Sequence, residues 1–318
     1  MQLPALSDIK QAHARIKPFI HRTPVLSSRL LNEIFGCELF FKCENFQKAG
    51  AFKFRGATNA ILSLTSEDKS RGVVTHSSGN HAAALALAAR MNGVKANIIM
   101  PDNAPEVKKN AVAGYGGIIT FCKPNQKDRE ETTGMIMKKT GATLVHPYDN
   151  FNVICGQGTA ALELLEEKDG LDIVVAPVGG GGLLSGTSTI VKGIKQSIKV
   201  YGAEPLNAND AWISFTTGKI APSFSPATIA DGLLTSLSEL TFSVIRMNVD
   251  TILTAKEESI IECMLLVWER MKIIIEPSSA TVLAVIRENP GLFRGKKAGL
   301  IISGGNVDFR KLPFRASS

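Results

Sequence analysis

Short apolar runs that stop at glycine, serine or proline alternate along this chain with longer stretches whose apolar positions recur every three to four residues. The short runs suit strands buried on both faces, and the longer period suits helices packed on one side. The pattern predicts strands at 73–75, 97–100, 117–121, 143–145, 173–178, 200–203 and 300–302. Helices are predicted at 81–91, 128–140, 157–167, 183–196, 257–271 and 278–288. Alternation of this kind defines an α/β fold with mostly parallel sheets and helices on both faces. No fixed-period repeat or low-complexity linker divides the chain, so its lobes are drawn from the pattern. A small mobile lobe is expected at 65–149, and a large lobe at 1–64 and 150–318.

Composition narrows the class without naming it. A chain of 318 residues, 44% hydrophobic and 20% charged, can bury two substantial cores, which sets disorder aside. The net charge of +7 comes from scattered lysines and arginines with no basic block longer than a pair. That spread argues against nucleic acid and fits a small anionic ligand. Five widely spaced cysteines (Cys37, Cys43, Cys122, Cys155 and Cys263) with no C-x-x-C read as reduced thiols. The first residues mix Asp8, Lys10, His13 and Arg15 into their apolar positions, unlike a secretory signal, so a cytoplasmic address is expected. The uncharged stretch 173–191 approaches membrane-span length, yet Pro177 and four successive glycines make it a strand and a loop.

Candidate chemistry lies at the strand ends. Lys53 stands between aromatics in Gly50-Ala51-Phe52-Lys53-Phe54-Arg55-Gly56, a stretch poor in carboxylates. Burial disfavours an ammonium, so a desolvated lysine can attack an aldehyde, as in pyridoxal phosphate; an ordinary solvated cation is the alternative. Val178-Gly179-Gly180-Gly181-Gly182-Leu183 follows a strand and opens a helix, leaving backbone N–H groups to surround a phosphate at the positive end of the helix dipole. A dinucleotide site competes, because Glu204 falls where a ribose-binding acid would stand. Against it, no G-x-G-x-x-G is present, and a nicotinamide enzyme leaves Lys53 unexplained. Ser77-Ser78-Gly79-Asn80-His81 offers N–H groups and hydroxyls to a carboxylate, with helix capping as its plainer use. Ser303-Gly304-Gly305-Asn306 is a third polar turn.

Taken in order, these segments resemble the fold-type II pyridoxal phosphate enzymes, in the branch of serine/threonine dehydratases and serine racemase. The likeness spans nearly the whole chain. It runs from Thr23-Pro24-Val25 through Lys42-Cys43-Glu44-Asn45-Phe46-Gln47, the Lys53 segment, Ser77 to His81, Gly156-Gln157-Gly158-Thr159, the tetraglycine and Ser303 to Asp308. It implies a two-lobed fold in which Lys53 binds the cofactor covalently and Phe52 packs on its ring. Asn80 would bond the ring hydroxyl, and Ser303 would face the pyridine nitrogen. Gly179, Gly180, Gly181, Gly182 and Leu183 would hold the phosphate. Lys53 and Ser78 are the implied acid–base pair, and Ser77, Ser78, Asn80, His81 and Arg129 the implied substrate contacts. For Arg129 a charged surface helix is the alternative reading.

Glu204-Pro205-Leu206-Asn207-Ala208-Asn209-Asp210 resembles the divalent-cation site of serine racemases. The carboxylates of Glu204 and Asp210 and the carbonyl of Ala208 would bind magnesium, calcium or manganese, unless the loop is merely solvated and acidic. The likeness weakens at the nucleotide site. Lys48 and Tyr115 fit the pattern, but Ala49 and Ala83 replace a usual threonine and glutamine, so activation by ATP does not carry over. Ala51 replaces a common serine, and Tyr148 a frequent asparagine near the substrate. The expectation is a homodimeric enzyme that racemises L-serine and eliminates water from L-serine or L-threonine. Threonine dehydration or 3-hydroxyaspartate deamination without racemisation is the alternative, ahead of an oxidoreductase or a non-catalytic amino-acid sensor.

Overall fold

The computed structural model describes residues 1–77, 79–223, 226–312 and 314. Its strands are β1 (Val25–Leu26), β2 (Glu38–Cys43), β3 (Val73–His76), β4 (Ala96–Pro101), β5 (Ile118–Cys122), β6 (Thr143–Leu144), β7 (Ile173–Pro177), β8 (Lys199–Pro205), β9 (Thr251–Ala255) and β10 (Lys297–Ile302). They form two sheets, ordered β1-β2-β10-β7-β8-β9 and β5-β4-β3-β6. Every pairing is parallel except β1 with β2. The α/β class is therefore the observed one. Parallel neighbours need crossover connections, so helices cover the faces and each strand of the larger sheet's centre is apolar on both sides. In the middle of that sheet, Leu300 of β10 lies opposite Phe41 of β2 and Val175 of β7, and all three are fully buried.

Parallel strands also gather their carboxyl ends on one rim. Pro177 ends β7 one residue before the tetraglycine, Ile302 ends β10 before Ser303, and His76 ends β3 before Ser77. Every candidate loop thus opens on strand ends, where α/β folds bind ligands.

Three strands escape the pattern reading. β1 has two residues, and β9 carries Thr251 and Thr254 among its apolar positions. In β2 the charge of Lys42 interrupts the apolar run, yet its side chain is fully buried because Glu163 receives it. The helix expected from 157 begins at Phe151 instead, since the Asn150 side chain accepts the Val153 N–H at 3.0 Å and caps a turn further upstream.

Three helices converge behind the site: Lys53–Leu62, Phe151–Glu167 and Gly182–Ile194. A Cβ on Gly156 would stand 2.6 Å from the Gly56 Cα, and one on Gly186 would stand 2.5 Å from the Gly158 N. Backbone packs on backbone at both crossings, and any side chain there would force the helices apart. Among the described residues no helix is long and apolar enough to cross a membrane.

Candidate active site

Lys53 is the first residue of its helix, and the end of β10 clamps the turn before it. The Phe52 N–H donates to the Ser303 carbonyl at 2.9 Å, while Ala51 and Gly304 form a lone antiparallel bridge. The Lys53 ammonium donates to the Pro147 carbonyl at 2.9 Å and lies 5.1 Å from the Phe52 ring centroid. Burial pulls its pKa down to about 8, against the opposing pull of Glu276. That displacement corresponds to about 3 kcal/mol against the charged form. The sequence had marked a reactive amine; the partner carboxylate, far away in sequence, was not visible in it.

Glu276 organises the opposite wall. The Asn80 amide donates to both its oxygens at 3.0 Å, and the Asn306 N–H donates at 3.3 Å. Asn306 also donates its amide to the Asn80 side-chain oxygen at 2.9 Å, so Asn80 is held on both sides. Burial raises Glu276 to about 7 despite these donors. Asn80 opens the helix Asn80–Met91, and Gly79 precedes it without a side-chain cap. Nearby, the Gly79 N–H reaches the Ser77 hydroxyl at 3.3 Å. Ser78 lies outside the described residues.

Three imidazoles come from segments that follow or end strands of the four-stranded sheet. His81 donates from Nε2 to the Val145 carbonyl at 3.0 Å, its buried Nδ1 has no partner among the described residues, and burial, aided by the Lys53 charge, drops its pKa to about 3. His146 accepts the Asp149 N–H at 2.9 Å on Nδ1 and falls to about 4, again chiefly through burial. His76 meets His146 edge-on with centroids 5.1 Å apart, and His146 meets Tyr148 at 4.6 Å. All three are neutral near pH 7, so they offer fixed dipoles without adding positive charge. Arg129 lies close enough to His76 to lower it beyond the effect of burial, and its buried Nε has no partner among the described residues.

The tetraglycine is buried, and Gly181 adopts φ 85°, a left-handed conformation that glycine takes without strain. A Cβ on Gly180 would stand 2.3 Å from the Tyr148 ring, and one on Gly181 would stand 2.7 Å from Leu237. No side chain caps the helix that begins at Gly182, which leaves its first N–H groups for an anion. Across the rim, the Ser303 hydroxyl sits 2.9 Å from that of Ser279. This is a donor set for a phosphorylated pyridine aldehyde: an amine kept out of water, an uncapped helix end and a buried hydroxyl pair.

Glu204 and Asp210 form a second cluster. The Glu204 oxygens accept the Ala211 and Trp212 N–H groups at 2.9 and 2.8 Å, and one buried oxygen of Asp210 has no partner among the described residues. Burial, with each other's proximity, raises Glu204 to about 9, and burial raises Asp210 to about 6. Ala208 is buried in the turn between them. Two desolvated carboxylates and an orphaned oxygen fit a hard cation. Beside Asn80, a cavity of about 420 Å³ is lined by Ala49, Ala83, Tyr115, Asp231 and Asn306. Lys48 is not part of that lining and donates to the Phe19 carbonyl at 2.7 Å.

The matches to known proteins agree with this geometry. Residues 16–304 match the family described as pyridoxal-phosphate dependent enzyme, and the chain belongs to it. It is 51% identical over 313 residues to a serine racemase of Dictyostelium discoideum, covering 96% of each chain. It is 49% identical over 314 residues to a β-hydroxyaspartate dehydratase of Paracoccus denitrificans, covering 99% of this chain and 100% of that one. The crystal structure of the Dictyostelium serine racemase superposes with a TM-score of 0.93, at 52% identity, over 96% of this chain and 99% of that one.

The Lys53 amine should acylate with a rate that rises with pH and is half-maximal near pH 8, because only the neutral amine reacts. Glu276→Gln removes the charge that favours the ammonium and should move that midpoint lower. Mass-spectrometric labelling across pH measures both; a midpoint at the ordinary lysine value would contradict the desolvation account.

Proposed function

We propose that the chain is a pyridoxal phosphate enzyme that racemises L-serine and eliminates water from β-hydroxy amino acids, releasing a keto acid and ammonia. The observation that carries the reading is a desolvated Lys53 on the same rim as an uncapped tetraglycine helix end. When bound, the cofactor delocalises the electron pair left at the substrate Cα as its proton departs. The chain's own residues do the rest. Lys53 would hold the cofactor and, as a free amine, would take the α-proton at its Nζ. Ser78 donates a proton from the opposite face, which inverts the centre; this role rests on its place in the sequence motif.

Gly179 to Leu183 would hold the phosphate, Asn80 the ring hydroxyl, and Ser303 the pyridine nitrogen, through a hydroxyl too weakly acidic to protonate it. Ser77, Asn80 and His81 line the carboxylate side, where free N–H groups at the start of the Asn80 helix suit an anion. Phe52 packs against the ring. Glu204, Asp210 and the Ala208 carbonyl would hold a divalent cation, which would cancel the repulsion between two buried carboxylates. Residues 65–149 form the mobile lobe, which closes on substrate and excludes water. The enzyme is a cytoplasmic homodimer, and Ala49 and Ala83, where a threonine and a glutamine are usual, take two polar contacts from the cavity beside Asn80, which argues against nucleotide activation.

One observation favours 3-hydroxyaspartate as a further substrate. The orphaned Nε of Arg129 beside His76 suits a second carboxylate, which serine lacks. The relatives include both serine racemases and a β-hydroxyaspartate dehydratase, so both readings remain within one reaction type.

Borohydride reduction with the cofactor should fix an adduct on Lys53, and Lys53→Ala should yield none and lose all turnover. Ser78→Ala should keep the adduct but stop D-serine formation; unchanged D-serine output would refute the two-base assignment. Keto-acid release from 3-hydroxyaspartate should fall at least tenfold in kcat/KM in Arg129→Gln, while release from serine falls far less. Equal losses would remove the arginine from substrate recognition. Magnesium should raise the thermal midpoint, releasing protons from Glu204 and Asp210 as it binds, and Glu204→Gln should abolish the shift.

A further inference from the structure

Behind the site lies a set of charges that the chemistry does not use. Arg55, Lys42, Glu44 and Glu163 are each at most 1% exposed. Arg55 donates through Nε and Nη2 to Glu44 at 2.7 and 2.8 Å, and through Nη1 and Nη2 to Glu163 at 2.8 and 2.7 Å. Nη1 adds Thr159 Oγ1 at 3.2 Å. Lys42 closes the ring, donating at 2.6 Å to Glu163 and to the Thr23 carbonyl, while the Thr23 hydroxyl donates to Glu44 at 2.5 Å. Two cations and two anions cancel. Burial penalises Lys42 and lowers its pKa, while the surrounding cations outweigh burial and hold Glu163 low.

A buried ionic cluster of this size is a poor way to gain stability, since apolar residues of similar volume often do as well. Planar, bidentate contacts do fix direction and distance. Arg55 is two residues beyond Lys53 on the same helical turn. Glu163 and Thr159 sit on Phe151–Glu167, whose Gly158 packs against Gly186 of the helix that starts at the tetraglycine. The cluster therefore stands in an unbroken rigid path between the amine and the phosphate cradle.

We infer that Arg55 and Glu163 are positioning residues that set the separation between the Lys53 amine and the tetraglycine, so that one cofactor molecule spans both at once. This rests on the cofactor reading above. Its consequence is a coupling between two binding events. Pyridoxal without phosphate tests the amine alone, inorganic phosphate tests the cradle alone, and pyridoxal phosphate tests the two together. With the separation correct, the joined molecule gains from holding both ends at high effective concentration; with it wrong, the halves still bind and the gain is lost.

Three variants probe the path in the full-length apoenzyme: Glu163→Gln, the charge-balanced Lys42→Met with Glu163→Gln, and the milder Thr159→Val. In the folded variants, pyridoxal capture by Lys53 and phosphate affinity should stay within about threefold of the parent. Affinity for pyridoxal phosphate should fall about tenfold or more for the Glu163 variants and less for Thr159→Val, the size expected for lost preorganisation. Circular dichroism and thermal melts identify the folded variants; should the Glu163 single variant unfold, the balanced pair and Thr159→Val decide. Unchanged pyridoxal phosphate affinity in a folded variant overturns the inference, and so does a parallel loss for all three ligands, which would mean general loosening. Failure of the parent protein to capture pyridoxal at Lys53 would instead overturn the cofactor assignment itself.

Discussion

An amine kept from water is the condition on which the rest of this structure depends. A lysine in solvent is an ammonium near neutral pH and is no nucleophile. Lys53 reaches about 8 because helices and the end of β10 enclose it, with Glu276 as the one carboxylate that pulls it back. The enclosure is costly to build, and the protein builds it from backbone: the Phe52 amide on the Ser303 carbonyl, and glycine against glycine at the helix crossings behind. Rigid backbone contacts cannot relax to let water in as flexible side chains can.

The surroundings of that amine are polar but nearly free of net charge. Three neutral imidazoles, an amide pair held by Glu276 and a hydroxyl pair line the rim, while the strongest charges are buried behind it in a balanced set. Separating these functions makes physical sense. Fixed dipoles stabilise charge that develops during reaction without reorganising, whereas a full charge beside the amine would retune it. Placing Arg55 two residues from Lys53 but on the far side of the helix turn keeps the guanidinium's rigidity and directs its field into Glu44 and Glu163.

Two carboxylate sites show how desolvation works in opposite directions. Glu163 stays ionised because Arg55 and Lys42 outweigh its burial, whereas Glu204, with two backbone N–H donors, and Asp210, with the Ser223 hydroxyl, are driven upward because burial outweighs these neutral donors. The first pair of charges is complete within the chain. The second has no cationic side chain within hydrogen-bond reach among the described residues, and this is the gap that the proposed cation would fill.

The amino-acid sequence by itself determined the α/β class, the seven strands with apolar runs and the glycine turn at a helix start, and it marked Lys53 as a candidate amine, because each is a local consequence of periodicity, composition or backbone freedom. It gave no access to β2, whose Lys42 looks like a surface residue until Glu163, 121 positions away, is seen to receive it. Nor did it reveal Glu276 against Asn80, the histidine row or the seat of Tyr148 on Gly180. Those depend on which strand ends meet at one rim. Only the tertiary structure decides that, since charge pairing and close packing act through space between residues that the chain order keeps apart.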